Sequence, residues 1–123
     1  MDGKFKSDNL IQTKSFSFSL RIIELYKILI IKNEFVIAKQ ILRCGTSIGA
    51  NIEEALAGQS RKDFIAKLSI SCKEARETKY WLRLLNESQL VKLDYSEYLK
   101  EIESILNILT KIIKTSKENS VDI

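Results

Sequence analysis

Residues 94–117 read DYSEYLKEIESILNILTKIIKTSK. Within this stretch Tyr98, Ile102, Ile105, Leu106, Leu109, Ile112 and Ile113 recur every three or four positions. At 3.6 residues per turn they fall on one face, and Lys100, Glu103, Asn107 and Lys114 fall on the other. Asp94 followed three positions later by Glu97 is a helix-start signal. The pattern predicts an amphipathic helix with one apolar stripe, which is stable only if other elements cover that stripe.

The preceding residues supply three such elements. Ser60 followed by Asp63 resembles a capping box with a short acid in place of the usual Glu. It opens a helix that continues to about Glu87, roughly 40 Å at 1.5 Å per residue. The core stripe of this third helix is Phe64, Leu68, Ser71, Cys72, Ala75, Thr78 and Leu82, and residues 88–93 make a short link to the fourth. A second helix is expected from about Glu34 to Ala57, with Ile37, Ile41, Cys44, Ile48, Ile52 and Ala55 on one face. Gly45 and Gly49 lie inside it, each costing about 1 kcal/mol relative to Ala, which points to close helix approach or a local bend. The first helix is expected from about Lys14 to Lys32. Its opening, Ser15-Phe16-Ser17-Phe18-Ser19, alternates like a strand. Beyond that it carries two stripes, Phe16-Leu20-Ile23-Ile30 and, roughly opposite, Phe18-Ile22-Leu25-Leu29. A helix that is apolar on two sides is usually buried on two sides.

The fold class expected is therefore all-α, an antiparallel up-down four-helix bundle over residues 14–117. Residues 1–13 and 118–123 are expected to be flexible ends, and the bundle to assemble as a homo-oligomer. The oligomer interface is assigned to Phe18, Ile22, Leu25 and Leu29 of the first helix and Ile70, Trp81 and Leu84 of the third. For the third-helix patch, cover by the first helix of the same subunit is an equal alternative.

Composition excludes several chemistries. The 123 residues suit a single domain, and 45% hydrophobic with 29% charged residues is a globular balance. There is no His, so no His base, catalytic triad or His metal ligand. Two cysteines, Cys44 and Cys72, cannot fill a zinc site and are expected to remain reduced in a cytoplasmic protein. Cys72 has no His to activate it as a nucleophile and reads as a small core residue. Glu53, Glu54, Glu74 and Glu77 lack the Glu-x-x-His partners of di-metal bundles. No metal, cofactor or enzymatic activity is expected. Residues 1–14 carry no apolar signal core, and the longest apolar run, Ile28–Ile31, is far below the roughly 20 residues of a membrane span.

Charge is segregated along the chain. The net charge is +4, but residues 59–93 carry eight basic and four acidic side chains against four and six in residues 94–123. One flank of the third helix presents Arg61, Lys62, Lys73, Arg76, Lys79 and Arg83 with Tyr80 among them. A basic ridge with an aromatic suits phosphate-backbone binding. The competing reading is a solvated face threaded by i,i+4 neighbours, such as Lys73 with Glu77 and Arg76 with Tyr80. On the second helix Arg43, Ser47, Asn51 and Glu54 form a polar strip expected to bond internally or to a neighbouring helix.

The octet Ser47-Ile48-Gly49-Ala50-Asn51-Ile52-Glu53-Glu54, followed by Ser60, Asp63-Phe64-Ile65 and Leu68-Ser69-Ile70, resembles a bacterial four-helix-bundle family. Its members are encoded in intervening sequences of large-subunit (23S) ribosomal RNA genes. The run from Lys73 to Leu85 looks like a branch of that family, and the likeness covers about residues 15–115. The resemblance implies a ring-like homopentamer and motif positions at Ser47, Ile48, Asn51, Ile52, Glu54, Phe64, Ile65, Leu68 and Glu77. It is also similar to the accessory protein of diversity-generating retroelements, a basic pentamer that engages a reverse transcriptase and nucleic acid. Gly49 stands where many relatives carry Pro, and Gln59 where many carry a basic residue. The expected function is a non-enzymatic oligomeric bundle that binds structured RNA or DNA through the third-helix ridge. A protein-interaction scaffold is the alternative.

Overall fold

The computed structural model describes residues 3–121, and side chains over residues 9–119. It contains four helices, α1 (Gly3–Ile31), α2 (Phe35–Leu56), α3 (Arg61–Ser88) and α4 (Ser96–Val121), with no strand among the described residues. Each helix packs on its sequence neighbour, and α4 closes the ring on α1. The short connections make the order up-down and antiparallel.

The junctions follow from local chemistry. Helix α1 is stopped just past Ile31 by Asn33, which adopts the left-handed conformation at φ 63°. There the Asn33 N–H donates to the Ile30 carbonyl and the Glu34 N–H to the Leu29 carbonyl. This is the Schellman arrangement, with Asn in the place usually held by Gly. Helix α3 starts as its sequence foretells, with Ser60 Oγ accepting from the Asp63 N–H at 3.0 Å. It stops at Gln89, whose φ is 50°. The Gln89 side chain then holds the link, donating to the Asn86 and Leu93 carbonyls and accepting from the Leu93 N–H. Tyr95, fully buried, anchors the same link by donating its hydroxyl to the Val91 carbonyl at 2.7 Å. Asp94 accepts from the Ser96 N–H at the entry to α4, and this hydrogen bond holds its carboxyl below the usual range.

The core contains the apolar faces read from the sequence for α2, α3 and α4, including Ile41, Ile48, Ile52, Leu68, Leu82, Ile102, Ile105 and Leu109. Close approach of α1 accounts for Gly45. A Cβ placed there would sit 2.8 Å from Ile22 Cγ2 of α1, whereas one at Gly49 would meet Ser19 and Ser15 at 3.4–3.5 Å.

Two expectations are corrected. Helix α1 already begins at Gly3, inside the segment 1–13 that the sequence reads as an end preceding the first helix. Ile11 is buried, and Gln12 donates to both carboxylate oxygens of Glu53. Likewise α4 continues past Lys117 to Val121. Residues 1–2 and 122–123 lie outside the described residues. The second correction concerns the subunit interface. Phe18, Ile22, Leu25 and Leu29 are fully buried within the single chain, so they form its core and are not available to a partner. With Ile11 and Ser15 they make one inward stripe at alternating four- and three-residue steps, the narrow seam that a helix bundle buries.

Candidate nucleic-acid interface

Helix α3 is flanked by α2 on one side and α4 on the other, and the two flanks treat their charges differently. On the α2 side Arg43 reaches across to Glu74 at 3.3 Å and to Glu77 at 2.5 Å. Trp81 Nε1 also donates to Glu77, at 3.2 Å. The hydrogen bond from Arg43, joined by the one from Trp81, holds the Glu77 carboxyl below its ordinary range, and Glu77 in turn raises Arg43. Lys67 pairs with Glu54 at 3.0 Å. Beneath these pairs the buried Ser71 hydroxyl donates to the Ile48 carbonyl at 2.8 Å. Burial raises the Cys44 thiol, which keeps it neutral.

On the α4 side there is a groove. One part, about 360 Å³, is lined by Arg76, Lys79, Tyr80 and Arg83 from α3 and by Glu103, Leu106, Asn107 and Thr110 from α4. A second part, about 510 Å³, shares Arg76 and Thr110 with the first and continues past Cys72 and Lys73 to Lys114, Lys117 and Glu118. Lys79 is engaged by Glu103 at 2.6 Å, and Arg83 lies 3.9 Å from Glu87 on its own helix. Lys73, Arg76, Lys114 and Lys117 have no ion-pair partner among the described residues, so four unpaired cations line this part of the groove with one acid, Glu118.

The family model for the 23S rRNA-intervening sequence protein matches residues 7–111. The chain belongs to this family. A crystal structure similar to it is that of a protein with unknown function from the S23 ribosomal protein family of Bacteroides thetaiotaomicron VPI-5482. That protein is 48% identical, with a TM-score of 0.82 over 88% of this chain and 98% of the other. No curated protein matches the sequence.

In this 23S rRNA-intervening sequence family member, most motif positions cluster where α2 meets α3. Ile48, Ile52 and Leu68 are buried, and Phe64 and Ile65 are half-buried. Ser47 and Asn51 satisfy themselves on their own helix, donating to the Arg43 and Ser47 carbonyls. Glu54 and Glu77 carry the ion pairs to the opposite helix. The polar strip of α2 thus bonds both internally and across the seam.

The basic ridge is divided by the fold. Lys73, Arg76, Lys79, Tyr80 and Arg83 meet in the groove. Arg61 instead lines a separate depression at the α2–α3 turn, with Gly58, Gln59, Ser60 and Phe64. Lys62 is exposed three turns before Lys73 and lines neither part of the groove. The i,i+4 pairing expected between Lys73 and Glu77 does not form, because Arg43 takes Glu77. Sequence reading missed the α4 wall. Asn107, Thr110, Lys114 and Lys117 recur at three- and four-residue steps beside the apolar face, and that polar stripe was the available signal.

The outer surface also carries apolar side chains. On α1 the stripe opposite the core exposes Phe16 (64%), Leu20 (52%) and Ile23 (37%). On α3 Ile70 and Leu84 are exposed and Trp81 is half-buried. Among the described residues no helix is long and apolar enough to cross a membrane, and no cluster of His, Cys, Asp or Glu is suited to a metal ion.

Proposed function

We propose that this protein is a non-enzymatic, cytoplasmic, homo-oligomeric bundle that binds structured RNA or another nucleic acid through the α3–α4 groove. The observation that carries this reading is the set Lys73, Arg76, Lys114 and Lys117, four cations on two helices with no ion-pair partner among the described residues, in a groove part that holds one acid, Glu118. Cations that converge without internal neutralisation are suited to a polyanion, whose bound counterions they release. The matching family is named for a 23S rRNA intervening sequence and the similar crystal structure belongs to the S23 ribosomal protein family, and this supports RNA as the polyanion. The test is fluorescence anisotropy of a labelled ribosomal RNA fragment and of a DNA duplex, at low and near-physiological salt. The variant Lys73→Gln/Arg76→Gln/Lys114→Gln is expected to bind both at least tenfold more weakly, with a shallower salt dependence. Unchanged affinity would discard the groove as the binding surface.

Self-assembly is proposed from a separate observation, the exposed stripe Phe16, Leu20 and Ile23 together with Ile70 and Leu84. These are two separate apolar patches, because α1 and α3 do not touch in the bundle; exposed apolar patches mark contact sites, and the family likeness suggests a pentamer. Light scattering should return a multiple of the 14.2 kDa chain mass. Phe16→Ser/Leu20→Ser should dissociate the assembly. A wild-type monomer at micromolar concentration, with a different protein recovered on the same stripe, would establish the scaffold reading instead.

A further inference from the structure

The part of the groove nearest the C-terminal end of α3 contains more than charge. Tyr80 lines it with 56% of its surface exposed. The Tyr80 ring rests edge-to-face on Trp81 with centroids 5.5 Å apart, and Trp81 is itself held by its bond to Glu77. The Tyr80 hydroxyl has no hydrogen-bond partner among the described residues, so the ring is not there to anchor a neighbouring helix. On the opposite wall Thr110 spends its proton on the Leu106 and Asn107 carbonyls and keeps its oxygen available as an acceptor. The Asn107 side-chain amide makes no bond within the described chain, leaving two donors and an acceptor free. Arg76 and Arg83 stand about one helical turn to either side of Tyr80.

An aromatic face beside an uncommitted amide, bracketed by two guanidinium groups, has little use for a phosphate backbone alone. Its parts match an unpaired nucleotide. A base offers a face for stacking and an edge for hydrogen bonds only when it is released from a duplex. We propose that the groove holds one unpaired nucleotide, with its base stacked on Tyr80, its edge against Asn107 and Thr110, and its flanking phosphates at Arg76 and Arg83. The adjoining strand then runs along Lys73, Lys114 and Lys117. This rests on the nucleic-acid reading above and narrows it from a backbone-binding surface to a site that requires a base.

The experiment compares two labelled probes of equal length and charge, a 12-residue oligouridylate and the same ribose-phosphate chain without bases. Each is titrated against the full chain, Tyr80→Ala and Tyr80→Phe at matched salt. Wild type should prefer the base-bearing probe by about tenfold, as expected for stacking on one aromatic side chain. Tyr80→Ala should lose that preference while its affinity for the abasic chain and its salt slope stay unchanged, and Tyr80→Phe should keep the preference. Equal wild-type binding to the two probes overturns the base site and leaves the charged groove standing. Equal weakening of both probes by Tyr80→Ala, with circular dichroism unchanged, also overturns it. No wild-type binding to either probe at low salt overturns the nucleic-acid reading and the base site together.

Discussion

The two flanks of α3 carry similar side chains to different ends. Toward α2, Lys67 meets Glu54, Arg43 meets Glu74 and Glu77, and small residues let the backbones close over Ser71 and Ile48. Toward α4, among the described residues, Lys79 alone finds an acid on the facing helix, while Lys73, Arg76, Lys114 and Lys117 have no ion-pair partner around the groove. What separates a paired charge from an open one here is the residue on the neighbouring helix, not the charge or its exposure. The first flank is a closed seam whose polar groups are satisfied internally. The second leaves positive charge unpaired among the described residues, at some cost in like-charge repulsion, and the proposed polyanion binding would draw on that charge.

The difference can be pressed hardest at the seam. Replacing Ile48 with Ala opens a cavity between α1, α2 and α3 and should lower stability by about 2–5 kcal/mol in urea denaturation. Asn107→Ala, on the groove wall, should stay within about 0.5 kcal/mol. A comparable loss at both positions would mean the groove is as structural as the seam. Next in size, Ser71→Ala removes a buried hydroxyl bond to the Ile48 carbonyl and should lower stability by about 1 kcal/mol in the same assay.

A smaller effect separates the flanks by pH. Glu77 is held below its ordinary value by Arg43, so its contribution is present above the unfolded carboxylate pKa of about 4.3. It is lost as pH falls through the lower folded value. The pair is partly exposed, so Arg43→Gln should cost only about 0.5 kcal/mol near neutral pH. Stability profiles of wild type and variant should converge below pH 4, and parallel curves down to pH 3 would show that the pair does not carry the difference. Smallest of all, Arg76→Gln and Lys114→Gln should leave the denaturation midpoint unchanged or slightly raised, since each removes a repelling charge from the groove. A fall of more than about 1 kcal/mol would place these cations in the packing and remove the basis for the comparison.

The sequence by itself determined four helices, the inward faces of α2, α3 and α4, and the absence of His chemistry. These are local matters. The period of Ile102, Ile105, Leu109 and Ile112 has one solution, and Ser60 next to an acidic first turn caps a helix wherever it packs. The start of α1 was hidden because Ser15 interrupts the inward stripe between Ile11 and Phe18, and the alternation around it imitates a strand. Tertiary structure alone decided which of the two α1 stripes faces the core. Periodicity gives the angle between Phe18-Ile22-Leu25 and Phe16-Leu20-Ile23 but not their direction, and the outcome depends on which stripe fits against Gly45 and Gly49. The same holds for the site. The sequence places Lys73, Arg76 and Tyr80 on one flank of α3, but whether Glu77 neutralises Lys73 depends on Arg43, 34 positions away on α2. Lys114 and Lys117 become part of the site only because α4 lies antiparallel beside that flank, and charges on separate helices acquire a joint meaning only when packing sets the distance between them.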